Sequence, residues 1–116
     1  MVVDDDEDMR LLLRALLEEH GHAVTEAEDG EKGIEATSES TDLIITDIQM
    51  PKVKGLDLIL VLKKRYPELP IITNSGTGQM AGAINTWSAE KTGADDAYTK
   101  PFDHTEMLSA VDRLLA

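Results

Sequence analysis

The chain has 116 residues, which is enough for one core and too few for two domains, with 41% hydrophobic and 29% charged residues. Asp and Glu number 23 against 11 Lys and Arg, a formal net charge of −12 that repels nucleic-acid phosphates and anionic membranes and argues against both as direct partners. Cysteine is absent, which excludes a disulfide framework and a thiolate metal site and makes a reducing cytoplasm the expected location; no apolar run approaches the ~20 residues that span a bilayer, and Met1-Val2-Val3 runs into carboxylates without the features of a signal peptide.

Short β-type runs alternate with helical patterns along the whole chain. Met1 to Val3 reads as a strand, and Met9, Leu12, Leu13, Leu16 and Leu17 as the apolar stripe of a helix that stops at Gly21. His22 to Ala27 is a weak strand, Asp29-Gly30 a turn, and Glu31 to Glu39 a short helix with Ile34 and Ala36 turned inward. Leu43 to Thr46 is an unbroken apolar and β-branched run ending at Asp47, the pattern of a central parallel strand covered on both faces. A loop with Pro51 and Gly55 leads into a helix that closes on Lys63-Lys64-Arg65, where cations oppose the negative end of the helix dipole, and Pro67 stops it. Leu58 to Leu62, apolar around this helix, is expected to be core packing rather than a dimer patch.

Pro70 to Asn74 is the fourth strand, followed by Ser75-Gly76-Thr77-Gly78; a fourth helix within Met80 to Lys91, carrying Trp87, and a short strand at Ala97 to Thr99 come next. The last helix starts at His104 with Asp103 as its cap, Glu106 three residues on, and Phe102 and Met107 placed as a hydrophobic staple. Five βα units are too few for a barrel. They predict an α/β fold of one domain over residues 1–116: a five-stranded doubly wound parallel sheet of order 2-1-3-4-5 with five helices and right-handed crossovers.

In such a sheet, ligands bind beyond the carboxyl ends of the strands. The residues at those positions are Asp4 and Asp5, Asp47, Ser75 and Lys100. The first and third strands are neighbours about 4.8 Å apart, so Asp4, Asp5 and Asp47 must crowd, and protonation or a hard cation must relieve their repulsion. An oxygen-only donor set favours Mg²⁺, which accepts one or two carboxylates and keeps positions for phosphate oxygens. With the Lys100 ammonium and the Ser75 hydroxyl opposite, the set describes a carboxylate that accepts a phosphoryl group. Each residue alone has a plainer explanation: a cap or turn for an Asp or Ser, a solvated face for Glu7 and Asp8, a surface position for His20 and His22.

Val2-Val3-Asp4-Asp5-Asp6 with Arg10, Asp47-Ile48-Gln49-Met50-Pro51 with Gly55, Pro70-Ile71-Ile72 leading to Ser75-Gly76, and Lys100-Pro101-Phe102-Asp103 together resemble the receiver domain of bacterial response regulators, chemotaxis-type single-domain members included. The resemblance covers the whole chain. It implies that Asp47 is the phosphorylated residue and that Mg²⁺ is held by Asp5, Asp47 and the backbone carbonyl of Gln49, with Asp4 acting partly through water. It gives Ser75 as the hydroxyl that moves toward the phosphoryl group, Lys100 as its paired lysine, and Lys100–Pro101 as a cis bond. It further implies that a histidine kinase or phosphotransfer protein supplies the phosphoryl group and that a downstream protein reads the change on the face of the fourth helix, fifth strand and fifth helix. Ala97 stands where the family commonly carries an aromatic switch residue, with Tyr98 on the opposite face of the strand, and Lys54 replaces the usual Asp before the loop glycine.

The expected function is therefore a Mg²⁺-dependent phosphoacceptor switch that loses its phosphoryl group slowly on its own and has no small-molecule substrate. A degenerate receiver that binds partners without phosphorylation is the alternative that Ala97 favours. A phosphohydrolase of the haloacid dehalogenase type would need a second Asp where Gln49 stands, and a flavodoxin-like nucleotide binder would meet repulsion at Asp4-Asp5-Asp6.

Overall fold

A computed structural model describes residues 1–47, 55–75, 94–99 and 102–115. The described elements are β1 (Val2–Val3), α1 (Glu7–Glu19), β2 (Glu26–Ala27), α2 (Gly30–Ala36), β3 (Ile44–Thr46), α3 (Gly55–Arg65), β4 (Ile71–Ser75), β5 (Asp96–Thr99) and α4 (His104–Leu115). The five strands form one sheet of order β2-β1-β3-β4-β5, every adjacent pair parallel, as the βα alternation predicts.

Side chains that alternate across each strand divide between two cores. Val3, Ile44 and Ile71 join Leu58, Ile59 and Leu62 of α3 on one face, whereas Val2, Ile45 and Ile72 join Leu13 and Leu17 of α1 and Met107, Ala110 and Val111 of α4 on the other. Helices thus cover both faces, which explains why β3 shows no polar alternation: all three of its residues are buried.

Local signals set the helix ends. The Asp6 carboxylate caps α1 by accepting from the Asp8 and Met9 N–H groups, and Gly21 takes a φ of +95° just beyond the helix. Asp29 caps α2 by accepting from the Lys32 N–H at 2.8 Å, so Asp29-Gly30 is a helix start rather than a free turn. Asp103 accepts from the Glu106 N–H at 3.0 Å, and Phe102 packs on the cluster that contains Met107, so the expected cap and staple of the last helix are present.

Several expectations need correction. Leu12 is 38% exposed, because the buried line of α1 is Leu13 and Leu17, with Met9 and Leu16 half-buried at its margins. Ala36 is exposed; Gly33 and Thr37 take the inward positions of α2, and the Thr37 hydroxyl donates back to the Gly33 carbonyl at 2.6 Å. The second strand shrinks to two residues because β1 offers only two to pair with. Ser75 is the last residue of β4 rather than the first beyond it, and β5 begins one residue early, at Asp96. Leu58, Ile59 and Leu62 are fully buried, as core packing requires, while Leu60 is exposed. The helix expected within residues 80–91, Trp87 with it, lies outside the described residues.

Candidate functional site

Val3 of β1 is paired with Thr46 of β3, so Asp4 and Asp47 follow the last paired residues of two neighbouring strands. Their main chains are fixed by the ends of the sheet ladder: the Asp47 N–H donates to the Val3 carbonyl at 2.8 Å and the Asp4 N–H to the Ala27 carbonyl at 3.1 Å. One carboxylate oxygen from each of Asp4, Asp5 and Asp47 lies within 4.8 Å of the others. Asp4 and Asp47 are buried, at 1% and 5% exposure, and Asp5 is exposed at the rim. The expected convergence of these three side chains is therefore present.

Such a cluster is costly unless compensated. Two unit charges 4.8 Å apart repel by about 3.5 kcal/mol at an effective dielectric near 20 and by about 0.9 kcal/mol in bulk water. Part of the compensation is visible. One Asp4 carboxylate oxygen accepts from the Asp6 N–H at 2.9 Å, and the guanidinium of Arg10 donates to the Asp4 carbonyl at 2.7 Å. The remainder suits a hard cation. The donors are all oxygens, two of the three are held buried in fixed positions, and no His or Cys joins them, a set that fits Mg²⁺ and does not favour zinc.

On the β4 side, the pairing of Thr46 with Thr73 makes Asn74 the residue level with Asp47, and Ser75 follows it. Asn74 is 1% exposed, and its Oδ1 has no hydrogen-bond partner among the described residues. Ser75 is paired with Thr99, the residue before Lys100. Lys100, Gln49, Lys54 and the Lys100–Pro101 bond lie outside the described residues.

The sequence alone did not single out Asn74 or Glu26. Glu26 on β2 accepts from Arg10 at 3.2 Å and from Arg14 at 2.7 Å. The hydrogen bond from Arg14, opposed by partial burial and aided by Arg10, holds the Glu26 carboxyl below the usual carboxylate range. Arg10 itself stood in the quoted motif, but its partner sixteen residues away did not. His20 is bonded to Asp112 at 3.0 Å, tying the end of α1 to α4, and takes no part in the acidic cluster. A cleft of about 360 Å³, lined by Leu17, His22, Val24, Leu43 and Val111 among others, touches none of the three clustered aspartates.

Comparison with known proteins bears on this geometry. The family model described as "Response regulator receiver domain" matches residues 1–112. The DNA-binding transcriptional regulator NtrC of Klebsiella pneumoniae is 35% identical over 116 residues, which cover 99% of this chain and 24% of that protein. The transcriptional regulatory protein CpxR of Escherichia coli K12 is 32% identical over 115 residues, covering 99% of this chain and 48% of that protein. This chain thus spans half or less of the length of these relatives. Among solved structures, the receiver domain of NtrX from Brucella abortus superposes with a TM-score of 0.88 at 33% identity, covering 98% of this chain and 95% of that one. A response regulator receiver domain protein from Clostridium thermocellum gives 0.89 at 29% identity, covering 98% and 90%. The sheet order, the paired strand ends that carry aspartates and a family match across nearly the whole length agree, and the chain belongs to the response regulator receiver domain family.

Proposed function

We propose that residues 1–116 act as one receiver unit in which Asp47 accepts a phosphoryl group from a histidine kinase or phosphotransfer protein. The observation that carries the proposal is the convergence of Asp4, Asp5 and Asp47 at the ends of β1 and β3 in a chain of this family. In the transfer, an Asp47 carboxylate oxygen forms a bond to phosphorus as the bond from phosphorus to the donor imidazole nitrogen breaks, and that nitrogen keeps the electron pair and takes up a proton from solvent. Asp4, Asp5 and Asp47, with the carbonyl of Gln49, are the proposed holders of Mg²⁺, which when bound supplies positive charge against the phosphoryl oxygens. The chain's own part is to hold Asp47 at a fixed strand end, to keep water from one side of it by burial, and to offer Ser75 as hydroxyl donor and Lys100 as counter-charge.

The added phosphoryl charge biases Ser75 and Lys100 inward, and the change is read by a downstream protein on the face that includes β5 and α4. A net charge of −12 supports protein rather than nucleic acid as the direct partner of this chain. No described helix is long and apolar enough to cross a membrane.

Acetyl phosphate with Mg²⁺ tests the proposal: intact-mass and peptide analysis should find one phosphoryl group on Asp47, absent without Mg²⁺ and in Asp47→Asn. Modification at another residue, or equal modification of Asp47→Asn, overturns it. Ala97, at the position of the family's aromatic switch, favours a second reading, a receiver that binds partners without phosphorylation. Partner affinity that is unchanged by beryllofluoride and by Asp47→Asn would establish that reading instead.

A further inference from the structure

We infer that Arg10 is a positioning residue for the divalent-cation site, set in place by Glu26, an inference that rests on the proposed reading of the acidic cluster. Arg10 stands on α1 with its side chain only 15% exposed. Its Nη1 donates to the Asp4 carbonyl at 2.7 Å and its Nε to a Glu26 carboxylate oxygen at 3.2 Å. The other Glu26 oxygen accepts from Arg14 Nη1 at 2.7 Å, and Arg14 Nε in turn meets Glu18 at 3.2 Å. A chain of four charged residues therefore runs from α1 across β2 to one main-chain carbonyl, that of Asp4.

That carbonyl belongs to the peptide joining Asp4 to Asp5. Asp4 lies past the last paired residue of β1, where the ladder no longer dictates how the peptide plane is turned. The Asp4 side chain is tied to the Asp6 N–H on one side of this peptide, and Arg10 pins its oxygen on the other. The direction of the Asp5 side chain follows from this plane, and Asp5, being exposed, has little packing to hold it. Loss of the Arg10 bond frees the plane and disperses the three-carboxylate set.

The charge of Arg10 acts in the opposite sense, because a cation beside the cluster competes with a metal ion. Around Arg10 that effect is nearly cancelled, since Arg10 and Arg14 face Glu26 and Glu18, two charges of each sign. Orientation should therefore outweigh charge, and the two effects predict opposite signs for one measurement. Partners that orient metal ligands typically change metal affinity about 10–100-fold when removed.

The test is the Mg²⁺ dissociation constant, measured by isothermal titration calorimetry on the wild type, Arg10→Ala and Arg10→Lys, at low and high KCl, with metal-free thermal melts to check folding. Arg10→Ala should bind Mg²⁺ about 10-fold or more weakly at both salt concentrations. Arg10→Lys, whose single ammonium cannot serve the Asp4 carbonyl and Glu26 in the same forked way, should fall between the two. Unchanged or tighter binding by a folded Arg10→Ala overturns the inference and makes Arg10 a charge competitor. Should Arg10→Ala not fold, Arg10→Lys decides: several-fold weaker binding supports the inference, and wild-type affinity overturns it. A wild type that binds no Mg²⁺ overturns the reading of the site itself, whereas normal wild-type binding with an unaffected variant overturns this inference alone.

Discussion

Replacing Asp47 by Asn removes one charge from the acidic cluster while preserving shape and hydrogen-bonding capacity, so the metal-free protein should become more stable. Asp47 faces two carboxylates, with oxygens within 4.8 Å. Each pair costs between about 0.9 kcal/mol in bulk water and about 3.5 kcal/mol at an effective dielectric near 20. The exposure of Asp5 places the net value for the two pairs toward the low end, about 1–2 kcal/mol. A chain of this length has an unfolding entropy of about 0.24 kcal/mol/K, so the midpoint should rise by about 4–8 °C. The assay is thermal unfolding followed by circular dichroism near neutral pH, in EDTA and in excess Mg²⁺. In EDTA Asp47→Asn should melt above the wild type. In Mg²⁺ at 100 times its dissociation constant the wild type gains about 2.7 kcal/mol, and the variant, lacking one of the carboxylates, gains less. An Asn variant no more stable than the wild type in EDTA, or one that gains as much from Mg²⁺, would refute the claim that the three carboxylates repel one another and share an ion.

Three further outcomes follow from the packing and the ion pairs. A Cβ at Gly33 would stand 3.1 and 3.3 Å from the two Val3 methyl groups and 3.7 Å from Leu58, so Gly33→Ala should lose about 1–2 kcal/mol in urea unfolding, overpacking outweighing the gain in helix propensity; a stabilised variant would show that α2 is not seated so closely on β1. Asp103→Ala removes the cap of α4 and should cost about 1 kcal/mol by the same measurement, with no loss signifying a cap that water replaces. The carboxyl of Glu26 is held below its ordinary value of 4.5, so its charged form stabilises the fold above that pH and the contribution disappears as pH falls through the lowered folded value. The stability difference between the wild type and Glu26→Gln should accordingly be full near neutrality and shrink in acid; parallel curves across that range would mean that the Arg10 and Arg14 pairs contribute nothing.

The parts of this fold that could be read from the sequence are those whose cause is local. Leu43 to Thr46 announces a strand covered on both faces because no polar residue interrupts it, and neighbouring Ile44 and Ile45 do go to opposite cores. Asp103 with Glu106 marks a helix start through a bond made within three residues. The aspartate cluster was legible for a less local reason: a parallel sheet sends every strand's carboxyl end to one edge, so a residue type repeated there must converge. The misread positions depend on what stands opposite. Leu12 and Ala36 carry the right chemistry for burial, yet α1 turns Leu13 toward the sheet, and α2 uses Gly33 for its closest approach. The bonds between Arg10 and Glu26 and between His20 and Asp112 join residues sixteen and ninety-two positions apart, and only the three-dimensional register brings them together.

The same packing explains why repulsion in the cluster is available for use. Val2, Val3, Ile44 and Ile45, at 0–1% exposure, lock the two strands that carry Asp4 and Asp47, so the strand ends cannot spread to relieve their charges without opening both cores. Removing one such side chain typically costs about 2–5 kcal/mol, comparable to or above the cost of a carboxylate pair, and the core therefore prevails. What can change is the content of the site. A proton, a divalent cation or a covalently attached group redistributes charge among three oxygen donors whose positions the sheet has already fixed. With Asp4 and Asp47 held at the ends of the central strand β3 and its neighbour β1, the response to the proposed phosphorylation should appear around those ends rather than in the strands themselves.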